Sequence, residues 1–157
     1  MSKDCRNIYR ISRELAGMTQ ERVAPFLGCA VRTLSDYENG THPPDDIVRQ
    51  MVKVYRIPAL AYWHFKANEH LGEYLPDVYE PQTCGDMGFL VVLSSDDLEE
   101  ALMIVKEVLA DGRIDPSEHG NMRRCASLLR AVAGRLISAA LYVETEIAQN
   151  DDLPDAS

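Results

Sequence analysis

Apolar positions recur three and four residues apart along most of the 157-residue chain, which is the period of a helix face rather than of a strand. In the stretch 7–16 this period aligns Ile8, Ile11 and Leu15, and Gly17 stands where a helix stops. Thr19 reads as an N-cap, and the helix it opens is expected to run to Leu27, just ahead of Gly28. A third helix is predicted over 30–39 and is closed by Gly40. The turn THPPDD follows, and Asp45 is expected to cap a fourth helix with Ile47, Val48, Met51 and Val54 facing inward. Pro58 opens a fifth helix, ALAYWHFKANEHL. Five short helices with tight links predict an all-α domain over 1–71.

The segment 72–86, rich in proline and glycine, reads as a linker. Beyond it Met87, Leu90, Val91, Leu98, Leu102, Val105, Val108 and Leu109 keep helical registry, with a break expected near Ser94 and Ser95. Within 86–95 the run GFLVVL taken alone fits a buried strand equally well, and the registry that continues to Leu109 favours helix. A turn at DGRIDPSE leads into a long helix over 118–147, striped by Leu128, Leu129, Val132, Leu136, Ala139, Ala140 and Val143. The region 87–148 is therefore predicted to be a helical hairpin, and 149–157 an acidic flexible tail. A hairpin has too little interior for two broad stripes. It is expected to dock either on a twin from a second chain, completing a four-helix bundle, or on its own N-terminal domain.

Charge divides the chain in the same place. Residues 1–66 carry ten Lys and Arg against seven Asp and Glu, whereas 67–157 carry six against eighteen, within a total of −9. One half tolerates a polyanion and the other repels it. The four cysteines form no CxxC pair and the four histidines no i, i+4 pair, so no metal and no cofactor are expected. EVLADGRIDPSE partly overlays a calcium loop, but Leu109 stands where an oxygen ligand is required. No apolar run reaches the twenty or so residues of a membrane span and the N-terminus lacks a secretory apolar region, so a cytoplasmic protein is expected. With no nucleophile–base pairing and no phosphate loop, the chain is not read as an enzyme.

The stretch TQERVAPFLGCAVRTLSDYENG carries the chemistry. Val23, Leu27 and Leu34 have the spacing that holds two helices steeply around a turn, and Gly28 supplies the positive φ such turns use. With Gln20 opening the second helix, Gly28 in the turn and Tyr37-Glu38-Asn39-Gly40 ending the third, residues 7–66 resemble the helix-turn-helix domain of the Cro/CI-type, XRE-like phage repressors. That resemblance implies that the third helix enters a DNA major groove, with Val31, Arg32, Ser35 and Asp36 facing bases. Arg32 forks onto guanine, Val31 rests on a thymine methyl, and Asp36 buttresses Arg32 or accepts from cytosine. Gln20, Thr33, Asn39 and Arg10 are the phosphate candidates. Trp63, Tyr55, Tyr62 and Phe65 are read as packing residues rather than as a nucleotide-stacking cluster.

Three features depart from the family pattern. Residues 19–42 hold two arginines against three acids, so phosphate neutralisation is expected from Arg6, Arg10 and Arg13 and from Arg49, Lys53 and Arg56. Pro25 falls inside the second helix, and Asp36 is a carboxylate in a base-facing place. The expected function is a sequence-specific transcriptional regulator, a repressor that binds a two-fold symmetric operator on double-stranded DNA as a homodimer. The alternative is an antitoxin-like or adaptor module that uses the same fold to bind a protein partner, on its acidic half.

Overall fold

The computed structural model describes residues 7–67, 70–108 and 112–150, and among these there is no strand. Among the described residues seven α-helices follow one another: α1 (Ile8–Leu15), α2 (Gln20–Val23), α3 (Val31–Glu38), α4 (Asp45–Tyr55), α5 (Ala59–Lys66), α6 (Cys84–Val108) and α7 (His119–Asn150). They divide into two compact units, one holding residues up to Glu73 together with those from Glu144 on, the other Tyr74–Val143. Arg6 and residues 151–157 of the expected tail lie outside the described residues, as do Leu109 of the expected helical registry and Asp111 of the expected turn.

In the first unit Val23, Leu34, Met51 and Leu60 are fully buried, closed in by Tyr9, Leu27, Val48, Tyr55 and Ile57. Trp63 packs at the edge of this core, as a packing reading requires, while Phe65 remains exposed. The face of α1 differs from the one expected. Tyr9, Ser12 and Arg13 point inward and Leu15 is exposed. Polar partners cause the rotation, because Tyr9 and Arg13 each find a buried hydrogen-bonding group, whereas Leu15 offers only area. Helix α2 is a single turn of four residues rather than a helix to Leu27. Pro25 lacks the N–H that an interior helical position uses, and the chain continues through turns to Gly28. At α4 the N-cap is Pro44 and not Asp45, whose carboxylate sits in the first turn and takes His64 instead. Val48 and Met51 are buried there with Tyr55, while Ile47 and Val54 only flank the core.

In the second unit α6 is one unbroken helix that spans the strand-like run. It begins at Cys84 because Thr83 and Asp86 form a reciprocal cap: Thr83 Oγ1 accepts from the Asp86 N–H at 3.1 Å, and Asp86 Oδ2 from the Thr83 N–H at 3.0 Å. The break expected at Ser94 and Ser95 is absent, since the buried Ser94 hydroxyl donates to Leu90 O at 2.8 Å within the same helix. Helix α7 turns Cys125, Val132 and Ala139 inward, whereas Leu129, Leu136 and Val143 of the expected stripe remain exposed. The hairpin contacts run antiparallel, with Arg135 paired to Asp97, Arg124 to Glu100, and Cys125 Sγ set 3.7 Å from Ala101 O. By length and hydropathy alone one helix, Pro116–Asn150, passes as a membrane span, with a mean hydropathy of 1.4 over its most apolar window. Its inner face is occupied by protein, including the buried Arg135 paired to the half-buried Asp97.

Candidate nucleic-acid interface

The turn between α2 and α3 follows from three local choices. Thr19 Oγ1 accepts from the Arg22 N–H and fixes the start of α2. Gly28 adopts φ of 64°, a conformation that side chains resist although nothing crowds the position. Val23, Leu27 and Leu34 then meet with at most 2% of their surface exposed, locking the two helices to each other. At the far end of α3, Asn39 Nδ2 donates to Ser35 O at 2.7 Å and to Ser35 Oγ at 3.2 Å, and Gly40 leaves the helix at φ of 117°.

The C-terminal end of α3 is anchored by a buried ion pair. Glu38 accepts from Arg13 Nε at 2.6 Å and Nη2 at 2.9 Å, a two-pronged contact, and from Gln20 Nε2 at 2.9 Å. The remaining Arg13 arm donates to Met18 O at 2.7 Å, so one guanidinium ties α1 to the start of α2 and the end of α3. Hydrogen bonding to Glu38 raises the Arg13 pKa above its ordinary value. The sequence reading placed Arg13 among the phosphate-neutralising flank, and burial against Glu38 removes it from that role. The signal was present: Glu38 follows Leu34 by four residues and shares its inward side.

With its end held, α3 leaves Val31, Arg32 and Asp36 exposed, and Ser35 and Thr33 half-buried. Among the described residues the side chains of Arg32 and Asp36 have no hydrogen-bonding partner, so the i, i+4 pair between them is not made. Both are open to an incoming molecule. The phosphate candidates are less free. The Gln20 amide rests on Glu38, the Asn39 amide on Ser35, and Arg10 Nε on Glu14 at 2.8 Å in an exposed pair. The Arg10 hydrogen bond in turn holds the Glu14 carboxyl below its usual range. Arg10 and Asn39 line one hollow beside the end of α3, whereas Arg22, Lys53 and Arg56 line another together with Phe26. Because Arg13 cancels Glu38 inside the domain, the net negative charge counted over 19–42 overstates what a DNA phosphate would meet.

A second buried polar group braces the domain and was not foreseen. The His64 ring, 3% exposed, lies 2.8 Å from the Tyr9 hydroxyl through Nδ1 and 3.0 Å from Asp45 Oδ1 through Nε2. His42 stacks on it at 4.5 Å. This bridge joins α1, α5 and the start of α4, directly behind the turn that follows α3. Burial, with a smaller contribution from Asp45, raises the Tyr9 phenol to about 12. No group of three His, Cys, Asp or Glu side chains among the described residues is placed to hold a metal ion.

Comparison with known proteins agrees with this geometry where it reaches. The helix-turn-helix family model matches residues 10–60, which run from within α1 into α5. No curated protein and no solved structure matches the chain. The matched segment has a short second helix, a glycine turn, and a third helix held at its end, on which the Arg32 and Asp36 side chains have no hydrogen-bonding partner among the described residues. Residues 10–60 are a helix-turn-helix domain of the Cro/CI-like, XRE type, the architecture of DNA-binding transcription regulators.

Proposed function

We propose that the protein is a sequence-specific transcriptional repressor that acts in the cytoplasm and reads a two-fold symmetric operator as a homodimer. The carrying observation is the state of α3: Arg32 and Asp36 stand exposed and unengaged on a helix whose other end is fixed by Glu38. Arg32 forks onto guanine O6 and N7, Val31 meets a thymine methyl, and Asp36 accepts from a cytosine amino group or steadies Arg32 once DNA is bound. Ser35 lies between them, and Thr33, Arg10 and the backbone at the start of α2 meet phosphates. Gln20 and Asn39 join that set by exchanging their internal partners for phosphate oxygens. A single domain with this few cations binds weakly, so a pair of domains on half-sites one helical turn apart supplies the missing contacts. The acidic charge lies in the other part of the chain, where it discourages loose binding to any duplex.

Selection of duplexes from a random pool tests this reading. The wild type enriches a palindromic site, and Arg32→Ala loses preference at one base per half-site, at a cost of ~1–3 kcal/mol for each good pair. Failure of folded wild type to enrich any site at low salt overturns the reading in favour of a protein-binding module.

A further inference from the structure

Helix α7 in the second unit has three sides, and two are occupied. One faces α6, where Cys125 Sγ lies 3.7 Å from Ala101 O and Val132 and Ala139 are buried in line with it. Another is covered by the strap that precedes α6: Tyr79 N–H donates to Ser138 Oγ at 2.7 Å, and a Cβ at Gly134 would collide with the Asp77 carbonyl. The third side carries Leu129, Leu136 and Val143, and on α6 the residues Val91, Leu98 and Leu102 form a matching line; all six are 40–47% exposed. Counting 100° per residue in the direction of the chain, Leu129, Leu136 and Val143 stand ~40° past the line of Cys125, Val132 and Ala139, and Val91, Leu98 and Leu102 stand ~80° past the line of Ser94, Ala101 and Val108. Because the helices run antiparallel, turns in the same sense bring both lines to the same side of the hairpin. The result is one apolar face two helices wide.

From this face, and resting on the homodimer reading above, we infer that its occupant is a second copy of the chain, laid with α7 antiparallel to its twin. The sizes of the side chains carry the inference. The outer line of α7 continues in steps of three and four as Ala126, Leu129, Ala133, Leu136, Ala140 and Val143, small and large in strict alternation. Antiparallel pairing about a two-fold axis between Ala133 and Leu136 sets Ala126 against Val143, Leu129 against Ala140, and Ala133 against Leu136. Every large side chain meets a small one. A parallel twin stacks alanine on alanine and opens voids, and an unrelated apolar surface has no use for the alternation. Helix α6 agrees independently. Its own line is symmetric about Ser94 and Ser95, pairing Val91 with Leu98, and the contacts of Ala101 with Cys125 and of Asp97 with Arg135 bring that centre level with the α7 centre to within a turn. The face is ~30 Å long and ~20 Å wide, so two copies cover on the order of 1,200 Å², at the threshold of stable interfaces.

Sedimentation of the full chain without DNA gives the mass of a dimer, and Ala133→Glu gives a monomer of unchanged helix content. As a second measurement, in chains whose Cys5, Cys29 and Cys84 are serine, A126C co-expressed with V143C yields a disulfide-linked pair, while neither variant alone does. A monomeric wild type, whether free or drawn to lipid vesicles, overturns the inference. So does a dimer indifferent to Ala133→Glu, or cross-linking of A126C to itself. The outcome is separate from DNA reading: a dimer that enriches no duplex leaves this face standing, and a monomer that enriches half-sites removes only the face.

Discussion

The two units bury their apolar residues to different degrees. Around α1 to α5 the core side chains are sealed, and even the polar ones that enter it, Arg13, Glu38, Tyr9 and His64, meet partners there. Along α6 and α7 only a thin inner seam is closed, and its most buried members, Ser94, Ala101, Cys125 and Ser138, are small. Large apolar residues of the same two helices, such as Phe89 and Leu136, stay outside. The first unit is a finished object. The second has the surface of half an object, and helix formation alone does not complete it.

This contrast is sharpest at Glu38. Glu38→Ala strands the Arg13 guanidinium in the interior and is expected to cost about 3–5 kcal/mol, read as a lower midpoint in urea. A loss below about 1 kcal/mol would mean that the first unit is no better closed than the second. Next in size is a matched pair of leucines. Leu34→Ala, fully buried, should lose about 2–5 kcal/mol at any protein concentration. Leu136→Ala should lose under about 0.5 kcal/mol in dilute protein, as exposed positions do, and its penalty should grow as concentration rises. Equal, concentration-independent losses would abolish the distinction.

The smallest effects lie within the finished core. Tyr9→Phe removes the hydrogen bond to His64 and should cost about 1–3 kcal/mol, whereas the buried Tyr55 hydroxyl has no partner among the described residues, so Tyr55→Phe should be neutral or slightly stabilising. The same tyrosines set an alkaline limit. An unfolded phenol ionises near ~10, while Tyr9 holds its proton to about 12 and burial drives Tyr55 higher still. The unfolded chain therefore loses protons first, and stability falls as pH rises through that window. Thermal melts at stepped pH would show the decline, shallower in Tyr9→Phe.

Much of the first unit was legible because its signals are local. Gly28, the Tyr37-Glu38-Asn39-Gly40 ending and the spacing of Val23, Leu27 and Leu34 each act over a few residues. The face of α1 was misread because the choice lies between an apolar side chain and a polar one with a distant partner, and Glu38 is 25 residues from Arg13. Thr83 and Asp86 had the spacing of a cap, yet the prolines and glycines around them read as linker. The outer and inner lines of α7 merged into one stripe, since periodicity records that a residue is apolar and not which neighbour covers it. The exposed side of Arg32 and Asp36 followed from the family resemblance, but the internal engagements of Gln20 and Asn39 depend on atoms no spacing reports.

Gly134 has a consequence for how the chain can be divided. Its missing side chain admits the Asp77 carbonyl, and Ser138 then holds Tyr79, so the stretch from Tyr74 onward is built into the second unit rather than slung as a tether. A protease that needs an extended, unoccupied backbone should pass over 74–80. A gene cut to release the hairpin must begin before Tyr74, because a fragment starting at Cys84 would leave a bare strip of helix where the strap had lain.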